Sequence, residues 1–282
     1  DAISTKDYYA LAGYLLSSRF QRAFIDPPER NGETLHRLRE LQDRCRPLAV
    51  ELSATTLLQR LKQIPELSRP LPAAGKKSSP RKPHPLFQAW LELASADKPL
   101  TPEEFASKRQ ATVERWRREG AKAAEFAAKA HVFADFSKDG FTSWDVAGEA
   151  FDAGPSRMTN LISVEPSRVP VRRVAGPGWA HSGVVSDTLQ GSMRSRSFTI
   201  ESDKILYRVA GNQGQIKLII DGFQQIRDPI YGGLQIKVDG AEGPHWRVQN
   251  VGMWKGHRAY IELLDDGPGY LAVEKILFAD SD

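Results

Sequence analysis

KILYRVAGNQGQIKLIID, residues 204–221, reads as two strands: its apolar residues recur with a period of two, and Gly211-Asn212 interrupts the run as a turn would. On either side the same pattern returns. HVFADF, TSWDVAGEA, RVPVRRV and RSRSFTIE precede it, and HWRVQNV, RAYIELLDD and YLAVEKILF follow. Turn residues such as Asp239-Gly240 and Asp266-Gly267-Pro268-Gly269 separate these runs. About nine short strands over residues 131–282, with no helical period between them, predict an antiparallel β-sandwich of jelly-roll type.

Before His131 the period is 3.6. Tyr8, Leu11, Ala12, Leu15 and Leu16 mark an amphipathic helix within residues 7–20. Leu35, Leu38, Leu41, Cys45 and Leu48, then Leu52, Leu57, Leu58 and Leu61, form a stripe interrupted at Pro47, where two helices are expected to meet. Residues 66–85, ELSRPLPAAGKKSSPRKPHP, lack an apolar period and read as a loop or linker. The clearest helix signal follows. Thr101 is the N-cap, Pro102 the first helical residue, and Glu104 completes a capping box. Phe105, Thr112, Val113, Trp116, Ala123, Phe126 and Ala127 form its stripe, running toward Lys129. An antiparallel helical hairpin would bury the two stripes against each other. The expected fold class is α+β in sequence order: a helical region over 1–130 and a sandwich over 131–282.

The chain has 282 residues, 40% hydrophobic and 26% charged, and no run approaches the ~18 consecutive apolar residues of a membrane helix. Its single cysteine, Cys45, excludes an intrachain disulfide framework, a multi-cysteine zinc site and the CxxCH attachment of a c-type haem. The net charge of +4 divides into +7 before His131 and −3 from it onward. That asymmetry marks two differently built halves without the clustered basic stripe of a nucleic-acid binder. No leader can be read from Asp1 onward, and the chain reads as an excised piece.

Four segments in order carry a resemblance: FADFSKDGFTSWDVAGEAFDAGPS (133–156), SRSFTIESDKILYRVAG (195–211), IKLIIDGFQQIRDP (216–229) and VGMWKGHRAYIELLDDGPGYLAVEKILFAD (251–280). Together they resemble the β-sandwich module attached to levanase-type and related glycoside hydrolases. In that module a DW-V-GEAFG-GP start and a W-G-A-I-I-D-G-W-I-D-I-F finish recur. DAISTKDYYALAGYLLSSR (1–19), with IRDPIYGGL (226–234) and GHRAYIE (256–262), is similar to segments of large planctomycete cytochrome-linked proteins of unknown function. In that family a CxxCH haem segment lies upstream, followed by this helix, a helical hairpin, such a sandwich and a further C-terminal domain. This chain has no CxxCH, so haem ligation and a redox role are not carried over. The resemblance implies an internal fragment at the periplasm or cell surface, with neighbouring domains of the same polypeptide as partners.

The glycosidase-associated module implies carbohydrate binding without catalysis, with a polysaccharide or oligosaccharide as partner. Sugar recognition requires aromatic faces flanked by hydrogen-bonding side chains. Trp179 and His181, in the loop-like GPGWAHSG, and Arg227, Asp228 and Tyr231, in the turn-rich QIRDPIYGG, are the candidates. Trp144 and Trp254 lie in strand-like runs and read as core. Asp265 and Asp266 are neighbours on a strand and point to opposite faces, so they read as a turn and not as a glycosidase pair. No Gly-x-Ser-x-Gly elbow and no HxxxH or HxH spacing occurs, and no enzyme activity is expected. Structural calcium is the one ion a jelly roll invites, and Asp135, Glu149 and Asp280 could supply oxygen ligands. The alternative function is a structural spacer positioning a haem domain against a C-terminal one.

Overall fold

The computed structural model describes residues 4–17, 27–62, 101–157, 161–162, 173–222, 224–225, 228–229 and 231–280. Two compact units divide the chain: residues 1–53 with 132–282, and residues 54–131. The helical residues therefore do not form one unit, because the first half of the second helix is bonded to the sandwich.

Helix α1 (Thr5–Ser17) begins at Ser4, whose hydroxyl accepts the Asp7 N–H at 3.2 Å and donates to its carboxylate at 2.7 Å. Helix α2 (Pro28–Lys62) runs without interruption through Pro47, so the expected break is corrected. A proline inside a helix forfeits the bond to the carbonyl four residues back, at a cost of about 3 kcal/mol. Here the Arg46–Asp43 ion pair spans the turn just before it, and Arg39 and Gln42 tie that part of α2 to the sandwich.

The face of α2 that is docked is not the leucine stripe. The sheltered positions are Asn31, Leu35, Arg39, Gln42, Arg46 and Ala49, at helical spacing, whereas Leu38, Leu41, Cys45 and Leu48 are exposed. Arg39 pairs with Asp152 at 2.9 Å, and the Gln42 amide donates to the Val185 carbonyl at 2.9 Å and the Val184 carbonyl at 3.4 Å. A largely polar seam thus holds this helix.

Helix α3 (Pro102–Lys129) has the capping box that its sequence predicts: Thr101 Oγ1 accepts the Glu104 N–H at 3.3 Å, and the Glu104 carboxylate accepts the Thr101 N–H at 2.8 Å. None of its residues is buried, and Phe105, Val113, Trp116 and Phe126 stay exposed. Its stability then rests on local terms, and Thr101→Ala is expected to cost about 1 kcal/mol. Far-UV circular dichroism on heating would register this as early loss of helix signal, and an unchanged melt would show that the cap contributes nothing.

The β half opens with β1 (His131–Asp135), a single helical turn α4 (Phe136–Asp139) and β2 (Trp144–Gly148). Short strands β3 (Leu161–Ile162), β4 (Arg173–Val174) and β5 (Ala180–His181) precede β6 (Gly191–Ser195), β7 (Phe198–Thr199), β8 (Lys204–Asn212) and β9 (Gly214–Ile220). Then come β10 (Gln224–Gln225), β11 (Asp228–Pro229), β12 (Gln235–Val238), β13 (Ala241–Asn250), β14 (Arg258–Asp265) and β15 (Tyr270–Ala279). One sheet has the order β1-β15-β8-β13 with β5 beside β15, and the other the order β12-β9-β14-β6-β2 with β7 beside β14. The turns at Asn212-Gln213 and Asp239-Gly240 carry the chain from one sheet to the other, so they are corners of the sandwich.

Alternation builds the core. Ile205, Tyr207 and Val209 of β8 meet Ile216, Leu218 and Ile220 of β9 and Ile261 and Leu263 of β14 between the sheets. Each fully buried aliphatic side chain contributes about 1.5–3 kcal/mol. In β15 the register shifts between Val273 and Lys275, and this bulge turns Ile276 and Phe278 inward where strict alternation would have placed Lys275. Lys275 instead reaches buried Asp135 at 2.9 Å.

Candidate functional site

The end of the sandwich where β9, β13 and the second-sheet loops meet presents an aromatic group. β9 ends in a tight turn at Asp221 (φ 51°) and Gly222 (φ 75°). Asp221 is a non-glycine residue in the left-handed region, and its carboxylate explains why it is there. Oδ1 accepts the Arg258 N–H at 3.1 Å, and Oδ2 lies 2.5 Å from His257 Nδ1. The His257 bond, the largest influence, holds the Asp221 carboxyl below its ordinary value. With Nδ1 engaged, Nε2 is the ring nitrogen left to face a ligand.

The Trp254 and His257 rings meet edge to face, with ring centres 5.9 Å apart, and Tyr231 packs on Trp254 at 5.2 Å and 37°. Trp254 is half-buried on the core in a 3₁₀ turn (Gly252–Trp254), whereas Tyr231 is 55% exposed and Met253 82% exposed. The loop is clamped: Lys255 Nζ lies 2.9 Å from Asp203 and 3.4 Å from Asp280, and the Asp203 bond, then Asp280, raises the lysine's proton affinity. A Cβ at Gly252 would fall 2.8 Å from Asp203 Oδ1, so a larger residue there would push aside the carboxylate that holds Lys255. Buried Tyr207 donates to Gln249 Oε1 at 2.9 Å, and the Gln249 amide donates to the Gly233 carbonyl, two residues after Tyr231, at 3.1 Å. Burial pushes the Tyr207 hydroxyl up, so it remains a donor. A hydrogen-bond chain therefore runs from the core to the loop that carries Tyr231.

The other candidates fall elsewhere. Trp179 is 8% exposed and His181 5% exposed, so neither offers a face to a ligand, and the expected surface pair is corrected. Opposed Ala210 and Ala272 leave a seat on the outer side of the first sheet, and Trp179 fills it against Tyr270. Ser156 fixes it there, donating its backbone N–H to the Trp179 carbonyl at 2.8 Å and accepting the Trp179 N–H on its hydroxyl at 3.2 Å. His181 stacks on Tyr270 at 4.9 Å, and its Nδ1 accepts the Gly183 N–H at 3.0 Å. Arg227 lies outside the described residues. Of Asp228 the structure gives the backbone pairing with Gln225. Tyr231 is thus the sequence candidate placed beside Trp254, which the sequence reads as core and which does pack partly on it, while His257 and Asp221 are not singled out by the sequence. The flanking Gly252 and Gly256 were the signal that Trp254 belongs to a loop.

Among the described residues no three His, Cys, Asp or Glu side chains are grouped to hold a metal ion. Asp280 pairs with Lys255. Asp135 receives the Ser137 N–H at 3.2 Å and faces Lys275 at 2.9 Å and Lys138 at 3.8 Å. Burial pushes the Asp135 carboxyl up, but the Ser137 bond and Lys275 outweigh it, and it titrates below its ordinary value.

The outer face of the second sheet carries a polar row in register across five strands: Gln235, Lys217, Glu262, Arg194 and Asp145. Lys217 is fully buried and Arg194 lies 3.7 Å over the Tyr260 ring. With Lys217 sealed from solvent, this row reads as a structural charge ladder.

No protein-family profile matches the sequence, and no curated protein is detectably similar to it. Several solved structures share a partial likeness. The K1 cleaved adhesin domain of Lys-gingipain from Porphyromonas gingivalis is 10% identical, with a TM-score of 0.32 over 52% of this chain and 97% of that one. TmCBM61 in complex with β-1,4-galactotriose is 13% identical, with a TM-score of 0.30 over 52% and 94%. A family two carbohydrate esterase from Cellvibrio japonicus is 12% identical, with a TM-score of 0.25 over 49% and 34%.

Proposed function

We propose that the chain is a non-catalytic carbohydrate-binding module whose ligand lies across Tyr231, Trp254 and His257. The observation that carries the reading is the partly exposed aromatic pair beside an imidazole whose orientation is fixed by Asp221. Aromatic faces stack on the C–H faces of pyranose rings, and a fixed Nε2 can bond a hydroxyl. Among the described residues the cluster holds neither a facing pair of carboxylates nor a nucleophile, and binding is the chemistry its groups suit. The wider setting belongs to the same proposal: a larger, cytochrome-linked envelope protein handling polysaccharide at the periplasm or cell surface, where weak single sites gain through avidity.

The test is retention of the full chain on a panel of immobilised fructan, galactan, xylan and algal polysaccharides. Retardation by one glycan class, relieved by its free oligosaccharide, is the expected result. Passage through every gel at the speed of a control protein would refute the binding reading. The spacer alternative would then gain, since the seam between α2 and the sandwich already favours a helix held in a set place.

A further inference from the structure

At the opposite end of the sandwich, Asp265 closes β14 with 1% of its surface exposed, and neither carboxylate oxygen has a partner within hydrogen-bond geometry. Burial pushes its pKa up to about 7, partly countered by the nearby Ser182 hydroxyl and Gly267 N–H, and reinforced by Asp187 and Asp266. The charges bearing on it are both negative. β6 brings only Gly191 opposite it, and Ser182, the polar neighbour from the preceding loop, is itself paired with the Leu271 backbone of β15.

The loop over this carboxyl, residues 182–190, is also what α2 grips. Gly269 N–H donates to the Asp187 carbonyl at 2.9 Å, and the Gln190 amide to the Asp266 carbonyl at 3.2 Å, so loop and acidic turn move as one piece. Val184 and Val185 of that loop supply the two carbonyls that accept the Gln42 amide. Apart from buried Leu35 and half-buried Ala49 the rest of the seam is polar, and polar contacts of this kind are held by little free energy.

We propose that Asp265 is the proton-operated latch of α2: while protonated it sits at ease beneath loop 182–190 and the loop holds Gln42, and once ionised it repels Asp187 and Asp266 and the loop releases the helix. Opening lets water reach the carboxylate, which is cheaper than keeping an unpaired charge buried. The proton goes to solvent, and no other group changes state.

Hydrogen exchange of the full chain tests this, read as protection factors over residues 36–49 of α2 at pH 6 and pH 8. Protection is expected to fall at least tenfold at the higher pH in the wild type, and less than twofold in Asp265→Asn. Gln42→Ala should be unprotected at both. A fluorophore on Cys45, the chain's single cysteine and exposed on α2, should report the same transition. If Asp265→Asn fails to fold, Asp187→Asn removes one repelling charge and should shrink the loss of protection between pH 6 and pH 8. A transition that survives in Asp265→Asn, or its absence from the wild type, overturns the proposal. So does suppression of the wild-type transition at pH 8 by millimolar calcium, which would make the acidic turn a cation site.

Discussion

Asp265→Asn should leave the stability of the sandwich nearly unchanged at pH 4 and raise it at pH 8 by an amount on the order of 4 kcal/mol. The wild-type carboxyl is pushed from 3.8 to about 7 by burial, and each tenfold change in proton affinity corresponds to about 1.4 kcal/mol. The sign follows from proton counting. Below the unfolded value both states hold the proton, and stability is full. Between roughly pH 4 and 7 the native state keeps a proton that the unfolded chain has lost, so stability falls as pH rises. Above about 7 both are ionised and the loss is complete. Denaturant titrations of both proteins across this range would measure it. If the loop over Asp265 opens as proposed, the wild-type loss is capped at the cost of that opening and the measured gain is correspondingly smaller. A wild type more stable at pH 8 than at pH 5, with Asp265→Asn showing the same slope, would place the carboxyl in water instead.

Tyr231→Ala should weaken glycan binding at least tenfold, about 1.4 kcal/mol or more, with no change in the melting temperature. Its ring is mostly exposed and touches Trp254 alone among the described aromatic rings, so its removal leaves no cavity in the core. Trp254→Ala should abolish detectable binding but also destabilise the fold, because that ring packs partly on the core. Gln249→Ala separates positioning from contact. It breaks the link from Tyr207 to Gly233 without touching a ligand, and should weaken binding while Tyr231 remains in place to be quenched by sugar. Affinity electrophoresis with the glycan found in the panel would rank the three. Equal retention of wild type and Tyr231→Ala would move the ligand off this end of the sandwich.

The strands at 204–220 and 258–279 and the capped helix at 102–129 follow from alternation and capping, which are local. Pro47 lies inside a continuous helix because a proline's cost is local, while the anchoring of Arg39 and Gln42 to the sandwich, a turn or two before it, is not. The leucines of α2 misled in a similar way. An apolar stripe states which face prefers burial, but the sandwich offered that helix carbonyls and a carboxylate, and its polar face docked.

By itself the sequence determined the class: a helical segment, then an antiparallel sandwich, with aromatic residues in its loops. Period and turn chemistry act within a few residues of one another, and a single chain displays them in full. The tertiary structure alone decided which side chains remain available. Trp179 is lost to a seat made by two alanines from strands more than thirty residues away in either case. Asp221 and His257, 36 positions apart, become partners because β9 and β14 are neighbours in the second sheet. Asp265, apparently a turn residue, becomes a buried acid because the loop before β6 folds over it. Burial and pairing are properties of what packs from elsewhere in the chain, and no local pattern encodes them.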